Sequence, residues 1–398
     1  MTSFEEHLQW PAIQKIQSTL KKAGFQSYIA GGAVRDLFLG RMPNDLDIAT
    51  DAKPEQVDEL FEKTVMVGKE FGVSRVIIDG QDIEVATFRK DGPYADGRKP
   101  ESIEFSNIVE DSKRRDFTIN AMFYDTDKKE IIDHVGGQND LMKKLIKAVG
   151  EPDKRFDEDK LRILRALRFH SQLGFAIEQK TAEAIKKYSL MMHQVSMERV
   201  RDEWIKLLNG EYAVRAITRT YDLNLWSPLF DAWKFQSDEY QKHFSLSNND
   251  SETQWIIWFL IHCQESKEKL AETGLHWKLP KALLQKMIYC FQSLPQLRNI
   301  QNVEPVDLAI FLGKPNGRLA VEIYQRLHQG RIKEQFFEKL KAAESFFEGG
   351  ELPQLLVSGD DLIQYGLAPG PKIAQELKRL HRIQLLEKIS NKEELLTK

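Results

Sequence analysis

The chain has 398 residues, a length that predicts two or three domains with sizeable buried cores and excludes a single small module. Its composition, 41% hydrophobic and 29% charged with 23 Gly and 14 Pro, is globular and excludes collagen-like or largely disordered sequence. The 57 basic and 60 acidic residues give a net charge of −3, so any basic surface for nucleic acid must be local.

Neither a disulfide framework nor a membrane segment is indicated. Cys263 and Cys290 lack the CxxC spacing of a zinc site, which predicts two reduced core residues. The N-terminus has no basic region followed by an apolar run, and no stretch approaches the ~18 apolar residues of a membrane span. We therefore expect a cytoplasmic protein without membrane contact, while its oligomeric state stays open.

The first third mixes strand-like and helix-like patterns, which predicts an α/β domain over residues 1–145. Ser3 and Glu6 form a predicted capping box, and Gly31-Gly32 joins a strand to a helix that Gly40 ends. The predicted strands cover 26–30, 45–49, 73–78, 83–88 and 103–105, and the predicted helices cover 3–20, 33–39 and 54–63. From about Asp157 onward the strand signals fade, which predicts an all-helical remainder.

Asp45 and Asp47 are the first candidate functional residues. With one residue between them on a predicted strand, both carboxylates lie on one face and Leu46 on the other. Mg²⁺ prefers oxygen ligands and usually takes one or two carboxylates plus substrate phosphates. An Asp-x-Asp pair alone also fits two acidic residues at a solvated strand end.

Gly31-Gly32 lies shortly upstream, where a strand leads into a helix N-terminus that can hold a phosphate, with Arg35 one turn on as a donor. A tight-packing turn is the alternative, and the chain contains no P-loop motif.

Three motifs, in this order, carry a family resemblance: Gly31-Gly-Ala-Val-Arg-Asp36, Asp45-Leu-Asp-Ile-Ala-Thr50 and Arg114-Arg-Asp-Phe-Thr-Ile-Asn-Ala121. They are similar to motifs of class II tRNA nucleotidyltransferases, the CCA-adding enzymes, and of their bacterial poly(A) polymerase relatives. The resemblance implies that Asp45 and Asp47 are catalytic and hold Mg²⁺. It also implies that Gly32, Arg35 and Arg115 contact the nucleotide. A surface ion-pair cluster is the alternative for Arg114-Arg115-Asp116.

The resemblance also implies an architecture. A polymerase-beta-like head with a mixed sheet would occupy residues 1–145, followed by an all-α neck at 146–210, a body at 211–300 and a tail at 301–398 that binds tRNA.

The predicted helix Glu158–Arg168 places Asp159, Arg162 and Arg165 at i, i+3 and i+6. An ion pair on a solvated helix is one interpretation. The other comes from the family's Glu-Asp-x-x-Arg motif, in which Asp159 and Arg162 would read the base while Arg165 and Arg168 extend toward base and triphosphate. A carboxylate accepts from the exocyclic amino group of cytosine or adenine, and Arg donates to the neighbouring ring acceptor. Uracil and guanine present a carbonyl to the carboxylate and an N–H to the arginine, so both contacts would be repulsive.

Three further segments are informative. The loop at 89–101 resembles a family loop that helps the pocket switch from CTP to ATP, and its full length favours CCA or A addition over CC addition. The helix at 198–204 resembles a supporting motif. The segment at 357–373 resembles a tail that grips the tRNA elbow, or it is a helical hairpin turn with solvated basic residues. We expect Glu84, on a neighbouring predicted strand, to be an exposed carboxylate, and a third acidic group near the metals is the alternative.

These features predict a template-independent enzyme that adds C, C and A to tRNA 3′ ends from CTP and ATP, by a two-metal displacement of pyrophosphate. An A-adding enzyme and a poly(A) polymerase of the same family are alternatives. A non-catalytic RNA-binding protein would not require the metal ligands.

Overall fold

The computed structural model describes residues 3–66, 72–94, 100–230, 233–244, 250–263 and 266–398. The chain forms two compact units, Met1–Asn248 and Asn249–Lys398. The finer division into head, neck, body and tail stays a prediction. Within the described ranges, no helix combines the length and apolar character needed to cross a membrane.

The first unit contains a mixed seven-stranded sheet in the order β3-β4-β5-β2-β1-β8-β9, in which β2 and β5 are parallel and the other neighbours antiparallel. Two small additional sheets pair β6 with β7 and β10 with β11. The strands are β1 Ser27–Ala30, β2 Asp47–Thr50, β3 Thr64–Met66, β4 Val73–Ile78, β5 Gln81–Thr87, β6 Arg89–Asp91, β7 Ile103–Phe105, β8 Met122–Asp125, β9 Glu130–Asp133, β10 Leu145–Ile146 and β11 Ala176–Ile177.

The first helices of this unit pack on the sheet, and further helices follow after its last strand. In α1, Ile13, Ile16 and Leu20 are buried at helical spacing where the helix packs on β1 and β5. The helices are α1 Trp10–Lys22, α2 Gly32–Phe38, α3 Pro54–Leu60, α4 Ile108–Arg114, α5 Gly137–Met142, α6 Pro152–Glu158, α7 Leu161–Leu173, α8 Gln179–Tyr188, α9 Met197–Leu208, α10 Ala213–Asp222, α11 Trp226–Phe230 and α12 Ser237–Phe244. Short 3₁₀ helices lie at Phe4–Glu6, Thr118–Asn120 and Ser189–Gln194.

The described part of the second unit is helical. Trp255, Trp258 and Trp277 are buried in its core, and Cys263 and Cys290 are free, buried thiols, as the sequence predicted. Its helices are α13 Ser251–His262, α14 Lys267–His276, α15 Lys281–Arg298, α16 Pro305–Leu312, α17 Gly317–Leu327, α18 Glu334–Glu344, α19 Gly359–Gln364, α20 Pro371–Glu387 and α21 Lys392–Leu396, with a 3₁₀ turn at Ile300–Asn302.

The predicted fold class, a mixed-sheet α/β head followed by helices, is confirmed, but several boundaries were wrong. Ser3 caps only the 3₁₀ turn, through the Glu5 N–H, and α1 begins at Trp10 next to a proline at its first turn. Strand β2 begins at Asp47, so Asp45 precedes it. The two-residue strand β11 interrupts the helical region because it pairs with β10, a long-range contact that local periodicity does not reveal.

Candidate active site

A cavity of about 770 Å³ lies within the first unit, between the sheet and α7. It has the size of a small-molecule site. Every residue that the sequence proposed for catalysis, metal or nucleotide binding lines it: Gly32, Arg35, Asp45, Asp47, Arg115, Asp159, Arg162, Arg165 and Arg168. Motifs more than 100 residues apart in the chain therefore meet around one space.

Carboxylates gather on one wall of this cavity. Asp47 opposes Ala30 across β1, and the parallel register of Ile48 with Val85 places Glu84 beside Asp47 on the same face. Burial, with the charges of Glu84 and Asp45, raises the pKa of Asp47 to about 7. Burial and the charge of Asp45 also raise the pKa of Glu84. Glu84 keeps an exposed surface, as expected, yet it lines the cavity, whose walls partly shield it from solvent, and it adds to the negative charge there.

The donor set fits a divalent cation that also has ligands outside the protein. Negative charges that repel one another in a half-buried site are stabilised by a cation. Among the described residues, no three His, Cys, Asp or Glu side chains form a group that could hold a metal ion. Mg²⁺ binds through only one or two carboxylates when substrate phosphates complete its coordination, and Asp45 with Asp47 supplies that number.

The glycine turn brings backbone and arginine together. Gly31 has a φ of 73°, which strains any other residue, and a Cβ there would lie 3.1 Å from Nη1 of Arg115 and press on that guanidinium. Arg35 donates to Asp36 and, through Nη1, to Oδ1 of Asn120 at 2.8 Å. Because α2 has only seven residues, its helix dipole is weak, and the two arginines are the main positive charges of this corner.

Each remaining arginine of the cavity is fixed by a carboxylate. Arg115 donates through Nε to Asp111 at 3.0 Å, and Arg165 donates through Nε to Asp116 at 2.7 Å. Burial opposes the ionisation of Asp116, but Arg165 overcomes it and holds the pKa of Asp116 below its usual value. Such pairing positions a guanidinium before a ligand arrives, which lowers the entropic cost of binding.

The expected continuous helix over 158–168 is divided in two. Asp159 has φ −151° and ψ 106°, an extended conformation that separates α6 from α7, and its Oδ1 accepts from the Leu161 N–H at 3.0 Å. Asp159 is therefore a cap between two helices and not a member of one continuous helix.

Arg162 does not form the solvated ion pair that local spacing allowed. It is only 8% exposed, and its Nη1 donates to Glu158 at 2.5 Å and to the Arg155 carbonyl at 2.8 Å. Asp159 accepts instead from Arg199 of α9 at 2.7 Å. The acceptor and the donor thus enter the cavity from separately anchored positions.

Sequence reasoning assigned no chemistry to α9, yet this helix supports both ends of the arginine-rich wall. Arg199 bonds Asp159, and Glu203, one turn later, pairs with Arg168 at 3.2 Å. The i, i+4 spacing of Arg199 and Glu203 was the available signal. The sequence also did not predict the contact of Tyr94 with Arg162, because this ring comes from a hairpin that is distant from Arg162 in the chain. Residues 95–99 of the loop lie outside the described residues.

Comparisons with known proteins place the chain in a family. Family models match in chain order: the poly(A) polymerase head domain at 27–147, the RNA and SrmB-binding site of polymerase A at 174–235, and tRNA nucleotidyltransferase domain 2 at 247–398. The chain is 38% identical to the CCA-adding enzyme of Bacillus pumilus, covering 96% of this chain and 94% of that protein. It is 34% identical to that of Bacillus subtilis, covering 94% and 93%.

A solved structure extends the match to three dimensions. The Bacillus stearothermophilus CCA-adding enzyme in complex with CTP superposes with a TM-score of 0.80 at 30% identity, covering 98% of this chain and 95% of that one. Fold and sequence together define a nucleotidyltransferase with a polymerase-type head domain. Within that class, the chain belongs to the family of CCA-adding enzymes.

Proposed function

We propose that the protein adds C, C and A to the 3′ end of tRNA from CTP and ATP, with release of pyrophosphate. The observation that supports this most directly is the shared cavity, where the Asp45 and Asp47 carboxylates and the Asp159 and Arg162 side chains line one space. A polymerising enzyme without a nucleic-acid template needs both a reacting end and a base-reading end in its nucleotide site.

The base-reading end consists of two anchored side chains. Asp159 offers carboxylate oxygens to the exocyclic amino group of cytosine or adenine, and Arg162 offers N–H donors to the ring acceptor beside it. Uracil and guanine present a carbonyl to Asp159 and an N–H to Arg162. Because both protein groups are held by other residues, they cannot turn away from a mismatched base without losing these contacts.

The reacting end combines carboxylates with arginines. We propose that Asp45 and Asp47 hold Mg²⁺, which when bound would supply charge neutralisation at the phosphates in a two-metal mechanism. Arg35, Arg115, Arg165 and Arg168 would bind the triphosphate and ribose, with Gly32 allowing close approach. The terminal 3′-hydroxyl of tRNA releases its proton to solvent, and its oxygen forms a bond to the α-phosphorus. The bond between the α-phosphorus and the oxygen that bridges to the β-phosphate breaks, and pyrophosphate leaves with that oxygen.

The same proposal divides the chain into a head at 1–145, a neck at 146–210, a body at 211–300 and a tail at 301–398. We assign contacts with the tRNA elbow to the tail. There Arg382 pairs with Asp307 and Arg379 pairs with Glu376, so the phosphate contacts would come from rearranged pairs and from Lys372. A protein that uses tRNA, CTP and ATP would work in the cytoplasm.

Label incorporation tests the proposal and separates the alternatives. Three tRNA transcripts, ending before CCA, after C and after CC, are each offered one nucleotide at a time with Mg²⁺. We expect C on the first two and A on the third. Addition of A to the third transcript alone would indicate an A-adding enzyme, repeated A addition to any RNA a poly(A) polymerase, and no addition a binding protein.

A further inference from the structure

Tyr94 connects a hairpin to the base-reading arginine. Strands β6 and β7 form this hairpin, and the Tyr94–Pro100 bridge continues their pairing. The Tyr94 hydroxyl donates to Oδ2 of Asp91 at 2.7 Å, and Asp91 also accepts from Nε of Arg89 at 2.9 Å. The ring is therefore fixed by the paired base of the hairpin.

The ring lies over the guanidinium of Arg162, with 5.9 Å between its centroid and Cζ. At this distance a cation is attracted to the face of an aromatic ring, more strongly where water is excluded. Tyr94 lines the nucleotide cavity and also a neighbouring cavity of about 760 Å³. It therefore belongs to the wall between the two spaces.

The other contacts of Arg162 leave one motion free. Its two short hydrogen bonds, to Glu158 and to the Arg155 carbonyl, both start from Nη1, whereas Nη2 reaches the Arg114 carbonyl only at 3.5 Å. A guanidinium held mainly at one nitrogen can pivot about it. A ring on its face restricts that pivot and so fixes the direction of the remaining N–H donors.

We propose that Tyr94 is a positioning residue for base selection, which acts by holding the Arg162 guanidinium in the orientation that accepts cytosine and adenine and rejects uracil and guanine. This inference rests on the proposed function of Arg162. Tyr94 touches neither the reacting atoms nor the carboxylate end, so its effect falls on discrimination between nucleotides and on KM more than on kcat.

The experiment compares three substitutions in the full-length protein. Tyr94→Leu and Tyr94→Met both remove the ring, and Tyr94→Phe keeps it. Single-nucleotide incorporation on tRNA lacking CCA gives the ratio of kcat/KM for CTP over UTP, and calorimetry gives the ratio of the two binding constants without tRNA. We expect the ring-removing variants to lose about tenfold in both ratios, mainly through KM, and Tyr94→Phe to restore most of the loss.

Tyr188→Leu is the matched control. The Tyr188 ring lies 5.9 Å from the Lys160 ammonium, so the control also removes a ring from a cation, but neither residue lines the nucleotide cavity. Its selectivity should equal that of the wild type.

A double-mutant cycle tests whether Tyr94 acts through Arg162. In an Arg162→Ala background, Tyr94→Leu should lower the CTP-to-UTP ratio no further. Full additivity, or unchanged ratios in both Tyr94→Leu and Tyr94→Met, overturns the proposal. If the wild type binds CTP more tightly than UTP but does not extend tRNA, only the proposed function is contradicted. The CTP-to-UTP ratios of the binding constants in the Tyr94 variants then decide the role of Tyr94. Wild-type binding without preference overturns the Tyr94 proposal as well.

Discussion

The Asp159 carboxylate accepts a hydrogen bond from the Arg199 guanidinium at 2.7 Å, across 40 residues of sequence. Asp159 also accepts from the Leu161 N–H at the start of α7, so each of its carboxylate oxygens has one protein partner. A carboxylate has about four acceptor sites, and the carboxylate oxygens keep capacity for a base. Arg199 therefore holds the Asp159 carboxylate in place and leaves acceptor sites on it for a base.

Arg199→Ala should therefore reduce selectivity as well as rate. Without its partner, Asp159 can rotate, and we expect the kcat/KM for CTP to fall by about one order of magnitude while the disadvantage of UTP shrinks. Steady-state incorporation with CTP and UTP on tRNA lacking CCA measures both. Arg201→Ala, on the same helix but outside the cavity lining, serves as the control. Equal losses in the two variants would show that α9 acts only as a scaffold.

Asp45→Ala and Asp47→Ala should each abolish nucleotide addition while leaving tRNA affinity nearly unchanged, because we propose that these carboxylates hold the metal and do not expect them to hold the tRNA body. Incorporation assays and filter binding measure the two properties separately. In the wild type, Mg²⁺ with CTP should raise the melting temperature, and Asp47→Ala should lose this shift. Full turnover of either variant in Mg²⁺ would contradict the metal assignment.

Local periodicity predicted those parts of the site that depend on neighbouring residues. The alternation of Asp45, Leu46 and Asp47 predicted Leu46 on the face opposite the carboxylates, and Leu46 is buried, even though β2 begins only at Asp47. The same spacing allowed an ion pair between Arg162 and Asp159, but the partner of Arg162 is Glu158. The break at Asp159 could not be predicted, because helical spacing continues across it.

Local patterns in the sequence could not predict contacts between residues that are distant in the chain. Glu84 comes beside Asp47 only through the register of β2 with β5, and Tyr94 reaches Arg162 only through the hairpin. Lys160, which spacing placed off the base-reading face, does lie outside the cavity lining, yet it is 7% exposed and its Nζ bonds the Asp157 carbonyl at 2.8 Å. Tertiary packing decides such burial, and a single sequence does not encode it locally.

Asp116→Asn should destabilise the protein in a pH-dependent way. Because Arg165 holds the pKa of the buried Asp116 below its ordinary value, the ionised carboxylate contributes stability above about pH 4, and this contribution disappears as pH falls through the folded-state pKa. We expect Asp116→Asn to lower the free energy of unfolding by about 3 kcal/mol at pH 7, measured by urea denaturation. Below about pH 4 the difference from the wild type should become smaller. Asp222→Asn, whose carboxylate lies 3.6 Å from Arg219 at an exposed site, should change little at either pH.

Deletion of residues 91–97 should spare the two C additions and impair A addition, because only the switch to ATP is expected to need this loop. The deletion also removes Tyr94, whose loss we expect to raise the KM for CTP, and Asp91, which bonds both Arg89 and Tyr94. Tyr94→Leu and Asp91→Asn are therefore the controls, and C addition by the shortened protein should match that of Tyr94→Leu. The measurement is A addition to tRNA ending in CC, beside C addition to tRNA lacking CCA. Normal completion of CCA by the shortened protein would make the loop a passive connector.

Arg162→Ala tests base reading most directly. The variant removes the donor that cytosine and adenine complement, and it leaves Glu158 without one of its two arginine partners. The rate should fall, and the discrimination against UTP and GTP should decrease by roughly 1–3 kcal/mol, which is about one to two orders of magnitude in relative kcat/KM. Single-nucleotide incorporation with all four nucleotides on tRNA lacking CCA measures it.

The control for this substitution must remove an arginine without opening the interior. Lys160→Ala, the choice that spacing alone suggests, would leave a buried cavity, whereas Arg215→Ala removes an exposed side chain of α10 that does not line the nucleotide site. Arg215→Ala should keep the wild-type order of the four nucleotides. If Arg162→Ala also kept its preference for CTP over UTP, the protein would not read the base through this guanidinium, and the pair with Glu158 would be purely structural.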